Sequence, residues 1–296
     1  MRLFLFLLLL LLSPALHAAN VTTMRDAMML GNHAYKKGQI TQADKHFSQA
    51  FKDAVKVFGP MSQEVFRILP RLANIKFLLD KDIQGEALLR NYLYISKKWY
   101  ADRPLAMAMA KTRVAELYVV KKDYIKAAQI SGEAIETMVA KIGLDHPNVT
   151  QAIDRHGSHL NQTKQFKKSE KLLSKVLIQV EKRSGKVHFI RGKLLMTLGD
   201  SSMGQGHVSK ALARYKEAHD IRVELYGYEH IETLSATSRL IDAGLAMGQH
   251  EAMRPHLLKG LAMARKLYSE KNPMVKRFKK RLKQLNRQQR TKEVAI

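Results

Sequence analysis

The chain has no cysteine. Disulfides and thiolate metal sites are therefore excluded, and packing alone must hold the fold together. It also lacks the short motifs that usually announce an enzyme. There is no Gly-x-Ser-x-Gly, no His-Glu-x-x-His and no glycine-rich phosphate loop, since no strand precedes Gly204-Gln205-Gly206. No catalytic residue and no cofactor are expected. Negative charge is scarce: 26 Asp and Glu stand against 51 Lys and Arg, a formal net charge of +25. Such an excess bears on solubility and polyanion affinity and does not specify a fold.

Long apolar runs are equally rare. One follows Arg2, unbroken from Leu3 to Leu12, and is ended by Ser13-Pro14 with Ala15, Ala18 and Ala19 after it. Ten apolar residues fall short of the ~20 that span a bilayer. The order of charge, apolar run and small residues predicts a secretory leader over residues 1–19, cleaved after Ala18 or Ala19. The expected mature protein is exported and soluble, and its freedom from cysteine fits a bacterial periplasm.

What is abundant is repetition. Leu198-Gly199 is followed by Gly206, Ala211, Tyr215 and Ala218. Two helical patterns broken at glycine are implied, with small residues where the helices touch and Tyr215 filling the gap between them. Leu30-Gly31, Gly38, Ala43, Phe47 and Ala50 repeat that spacing. Weaker copies contain Ala115, Tyr124, Ala127 and Ala134; Gly157, Phe166, Ser169, Leu173 and Val176; and Leu240, Gly248, Met253, Leu257 and Gly260. The second copy is the least faithful. Aligning the small position as Ala43, Ala87, Ala127, Ser169, Ala211 and Met253 gives steps of 44, 40, 42, 42 and 42.

These landmarks resemble the tetratricopeptide repeat (TPR). The long step and the joint Gly143-Leu144-Asp145-His146-Pro147-Asn148-Val149 are similar to the kinesin-light-chain variety. The resemblance implies an all-α, right-handed TPR superhelix, an α-solenoid of about six helix pairs over residues 20–273. Past Pro273, Met274, Phe278, Leu282 and Leu285 fall on one helical face. They predict a basic amphipathic capping helix and tail over 274–296, where residues 271–296 hold ten Lys or Arg and one Glu.

Such arrays hold a protein or peptide along the first helix of each pair. The family's groove positions fall on Arg25, Asn32, Tyr35, Lys36 and Lys76, then on Glu116, Asp154, Asn161, Lys193, Asp200 and Asp242. Asn32 matches an Asn of chaperone-binding repeats, but Met28 stands where their carboxylate clamp has Lys. The three aspartates are expected at one register, favouring a ligand that is basic there and acidic or neutral near Arg25, Lys36 and Lys76. The leading function is thus an exported, non-catalytic scaffold.

The alternative is an anionic envelope surface or polyanion. Lys164, Lys168, Lys171 and Lys175 are spaced along one face of a second, outward helix, and Lys276, Lys279, Lys280 and Lys283 surround the apolar stripe at the C-terminus. Nucleic acid is not expected as a partner. Among twelve histidines, His146, His188 and His230 recur every 42 residues. Equivalent sites in stacked pairs lie too far apart to share a zinc ion, so helix capping is expected and no metal site.

Overall fold

A computed structural model of the protein describes residues 21–144 and 146–294, with side chains as far as residue 287. The leader expected over residues 1–19 lies outside the described residues. Among the described residues there are thirteen α-helices and no strand. They are α1 (21–36), α2 (Ile40–Phe58), α3 (Gln63–Leu78), α4 (Asp82–Trp99), α5 (Pro104–Val120), α6 (Tyr124–Ile142) and α7 (Pro147–Gln162). After these come α8 (Phe166–Ser184), α9 (Phe189–Gly204), α10 (Val208–Tyr226), α11 (Ile231–Ala246), α12 (His250–Leu267) and α13 (Pro273–Val294). Odd-numbered helices open a pair and even-numbered helices close it. Two compact units result, one ending at Lys141 and one beginning at Ile142.

Turn chemistry sets the period. Within each pair the chain reverses through a left-handed residue at 38, 80, 122, 164, 206 or 248, with φ between 55° and 77°. The next amide then donates back to the carbonyl five residues earlier, as from Gln39 to Ala34 and from His207 to Ser202, both at 2.9 Å. This bond satisfies a carbonyl that the helix end would otherwise leave open. Between pairs, side chains cap the incoming helix. His146, His188 and His230 accept at Nδ1 from Asn148, Ile190 and Glu232 amides at 3.2, 3.3 and 3.1 Å. The joint histidines are helix caps, and Asn272 does the same for Met274 at 2.8 Å.

The small position recurs with perfect regularity, and here the alignment changes. Ala43, Ala127, Ser169, Ala211 and Met253 are buried three residues into their helices, but Ala87 is exposed. The buried residue in α4 is Gly85, against which the Phe77 ring of α3 packs so closely that a Cβ would collide with it. With Gly85 in place every step is 42. The aromatic landmark had moved from the second helix to the first, which hid the register.

Each unit has its own core. In the first, Phe47, Leu69, Leu89 and Ile95 are buried beneath a stack of Phe66 on Tyr92, with centroids 4.4 Å apart. In the second, Tyr215 is 1% exposed against Gly199, and Leu257, Phe278 and Leu285 close the end. The apolar stripe of α13 thus covers the last pair, as a terminal repeat requires.

Candidate binding groove

The first helices of the second unit form a cleft of ≈ 400 Å³. Ser158, Asn161 and Gln162 of α7, Asp200 and Met203 of α9, and Arg239 and Asp242 of α11 line it, with Phe166 and Tyr215 contributed by α8 and α10. Three expected residues, Asn161, Asp200 and Asp242, therefore come together.

Their polar groups are tied across the repeats. Asp200 accepts from the Tyr215 hydroxyl at 2.6 Å and pairs with Arg239 at 3.3 Å. Burial, with the Asp200 charge beside it, pushes the Tyr215 phenol far above its ordinary range. Asp242 accepts from Arg277 at 2.6 Å and also from Arg281. Asn161 donates to the Thr197 carbonyl at 3.0 Å and accepts from the Ser201 hydroxyl at 2.9 Å. Successive first helices are thereby stitched together, and the aspartates are not bare charges.

Asp154 departs from expectation. Counting by 42 places Asn32, Asn74, Glu116, Ser158, Asp200 and Asp242 at one register, and Asp154 lies one turn earlier. It accepts from the Thr197 hydroxyl at 2.7 Å, and burial pushes its carboxyl above the usual range. Lys193 is exposed nearby and opposes that rise.

The same count exposes a feature that the sequence reading missed. Arg71, Arg113, Arg155, Arg239 and Arg281 occupy one register of the first helices, with Met29 and Thr197 the exceptions. Arg239 lines the cleft, and all but the buried Arg281 are exposed. In the second unit Arg239 and Arg281 answer carboxylates 39 residues earlier, Asp200 and Asp242. In the first unit the position 39 residues before Arg113 holds Asn74, and Arg113 reaches only Glu116 of its own helix, at 3.4 Å.

Elsewhere in the first unit, Arg25, Asn32 and Lys36 are exposed on α1. The Tyr35 hydroxyl accepts from Asn74 at 3.2 Å. Lys76, expected on the groove wall, instead turns to Asp44 of α2 at 2.5 Å, its side chain 12% exposed. Lys81 joins it at 2.9 Å. Burial works to raise the Asp44 carboxyl, but hydrogen bonds from the two lysines hold it below its ordinary range. Counting by 42 from Asp44 reaches Glu86, which collects Lys121, and Glu170. Lys210 and Arg214 pair with Glu170 at 2.7 and 2.8 Å, while Gln205 donates to it at 2.7 Å. Burial opposes them, yet the Glu170 carboxyl is held at about 2.

The lysine row also needs one correction. Lys164 is not on the helix: it is the left-handed turn residue before α8, with φ 59°. Lys168, Lys171 and Lys175 are exposed on α8 itself, and Lys276, Lys279, Lys280 and Lys283 are exposed on α13. Lys279 pairs with Glu270 at 2.5 Å. Among the described residues there is no cluster of three or more His, Asp or Glu able to hold a metal ion.

Solved structures share this architecture. Kinesin light chain TPR-like repeats from Podosopora anserina superpose with a TM-score of 0.59 at 15% identity, covering 68% of this chain and 95% of theirs. BtubC (BKLC) from P. vanneervenii gives 0.58 at 15% identity, with 87% and 93% covered. The fold is a TPR α-solenoid. At this identity the likeness speaks to fold alone. No family model matches the chain. The clustered mitochondria protein homolog of Debaryomyces hansenii is 25% identical over 140 residues, 47% of this chain. The chain covers only 11% of that relative's length.

Proposed function

We propose that the protein is a non-catalytic TPR scaffold, exported by its leader, that holds an extended segment of another protein along its first helices. The supporting observation is the contrast in the arginine register. Arg239 and Arg281 are answered by aspartates of the preceding first helix, while Arg71 and Arg113 are preceded at that spacing by Asn32 and Asn74. With Arg25 and Lys36 also exposed, the first unit offers positive charge beside amides that can bond a peptide backbone. The ligand segment that it holds is acidic. The cleft of the second unit, with its charges largely paired, takes a neutral polar segment, not the strongly basic one that three free aspartates would have favoured.

The test is a pull-down from envelope extract with the purified protein as bait, its intact mass reporting a start at Ala19 or Asn20. Arg71→Glu with Arg113→Glu should lose the partner, most clearly at low salt. Lys168→Glu with Lys175→Glu should retain it. Loss in the second pair alone would move the site off the first helices, and an unprocessed N-terminus would refute export by this leader.

A further inference from the structure

The solvent face of α8 is unlike that of α10, the next second helix of its unit. Lys168, Lys171, Lys175, Ile178 and Lys182 follow at spacings of 3, 4, 3 and 4, and all five are exposed. At 3.6 residues per turn they share about 80° of the helix surface over about 21 Å. Ile178, 51% exposed, stands in the row with lysines on both sides.

Nothing on α8 neutralises this row. Its two carboxylates point elsewhere: Glu170 is held by Lys210, Gln205 and Arg214, and Glu181 lies 2.7 Å from Arg191 of α9. Among the described residues the four lysines have no ion-pair partner. The fold does not demand lysine at these positions either. One repeat later, the corresponding exposed residues of α10 are Lys210, Ala213, Glu217, Asp220 and Glu224. The same geometry is built there with mostly the opposite sign.

We propose that this face of α8 is a second binding surface, distinct from the groove, and that it docks on an anionic lipid membrane. Lysine ammonium groups are point charges suited to a plane of headgroup phosphates, without the bidentate fork that arginine would offer a single site. Ile178 supplies an apolar side chain that a membrane interface can bury and a soluble polyanion cannot. Nucleic acid fits less well, because no aromatic side chain interrupts the lysines to stack on bases. The lysines hold the face against the phosphates while Ile178 enters the acyl boundary, leaving the first helices free to carry a protein ligand.

The experiment is sedimentation of the full chain with vesicles of phosphatidylcholine alone or mixed with phosphatidylglycerol. The neutral vesicles report any contribution of the apolar leader. Binding should be stronger to the anionic vesicles and fall as salt rises from about 50 to about 500 mM. Each lysine at such a surface contributes about fivefold, so K168Q/K171Q/K175Q should weaken anionic binding about a hundredfold. K168R/K171R/K175R should retain it. Ile178→Ser should weaken it several-fold, and K276Q/K280Q/K283Q on α13 should leave it unchanged. Circular dichroism establishes that each variant folds. Unchanged binding of the glutamine triple variant would overturn the proposal. So would loss only in the α13 variant, or equal binding to heparin combined with no effect of Ile178→Ser.

Discussion

The two units are built on one register and wired differently. In the first, the ties between neighbouring pairs run from second helix to next pair and are made by lysines gathered on Asp44 and Glu86. In the second, Glu170 keeps that device, but arginines take over. Arg191 is buried between Glu181 and Glu217, Arg222 reaches Glu232 at 3.0 Å, and Arg239 and Arg281 bind aspartates along the groove wall. On the proposed function this difference matters. Where the repeat is tied behind the groove, Arg71 and Arg113 are not bound to a neighbouring first helix; where it is tied along the groove, Arg239 and Arg281 are.

The largest effect should come from breaking the rear ties. Lys76 and Asp44 are 12% and 11% exposed, and beyond Asp44 the Lys76 ammonium has only the Ser48 hydroxyl, at 3.5 Å. Removing one partner of a buried pair leaves a charge without compensation, which costs about 3 kcal/mol or more. Glu170 looks equivalent but is not. Without it Arg214 still donates to the Leu198 carbonyl at 3.0 Å and to the Ser202 hydroxyl at 2.5 Å. Asp44→Ala should therefore lower the urea-unfolding free energy by ~3 kcal/mol and Glu170→Ala by about 1–2 kcal/mol. Equal losses, or the reverse order, would show that the two units are not wired as described.

Much of this was legible in the sequence, and the gaps have physical causes. The helix pairs, the α13 cap and the histidine caps follow from glycine turns, apolar spacing and a 42-residue recurrence. Gly85 escaped because Phe77 supplies from the opposite helix the bulk that Phe47 and Tyr215 supply from the second. The sequence places Lys76 on a groove helix but does not show its neighbours, and the carboxylate that captures it is 32 residues away. The arginine register could have been found by extending the 42-residue count from small residues to charged ones. That Asp200 and Asp242 would each be matched by an arginine 39 residues later was beyond reach, because that offset exists only once the first helices lie side by side.

Acid should separate the units next. Burial lowers the His156 imidazole to about 4 and also lowers His256; at His188 burial and then Arg183 act in the same direction. All three belong to the second unit. Between about pH 6.5 and 4 the unfolded chain binds protons at these three sites that the folded unit refuses; the raised Asp154 carboxyl acts in the opposite sense but is one group against three, so stability falls as pH drops through that window. In the first unit the depressed groups are Asp44 and Glu86, whose contribution is lost only as pH falls below the ordinary carboxylate range. Hydrogen exchange should show protection of residues 147–267 declining from pH 6.5 to pH 4 by on the order of tenfold per unit, while that of residues 40–120 holds. Parallel decline in both segments would contradict this division.

The smallest effect concerns the turns within pairs, and its sign is informative. Glycine holds the left-handed position at 38, 206 and 248, while Asp80, Lys122 and Lys164 hold it at the others. A side chain there costs about 1–2 kcal/mol against the backbone. Replacing it with glycine relieves that strain but frees the unfolded chain by about 0.4–1 kcal/mol. Relief should win by a few tenths to 1 kcal/mol, so Lys122→Gly in the first unit and Lys164→Gly in the second should each raise the melting temperature slightly. Gly206→Lys should lower it by a similar amount, because the same two costs then act with opposite sign. Lys164→Gly carries a second readout. If Lys164 is a turn residue and no part of the α8 surface, its loss should leave binding to anionic vesicles within twofold of the parent, the residual reflecting one distant charge. A drop as large as that of Lys168→Gln would return Lys164 to the membrane-facing row and require the face to extend beyond the helix.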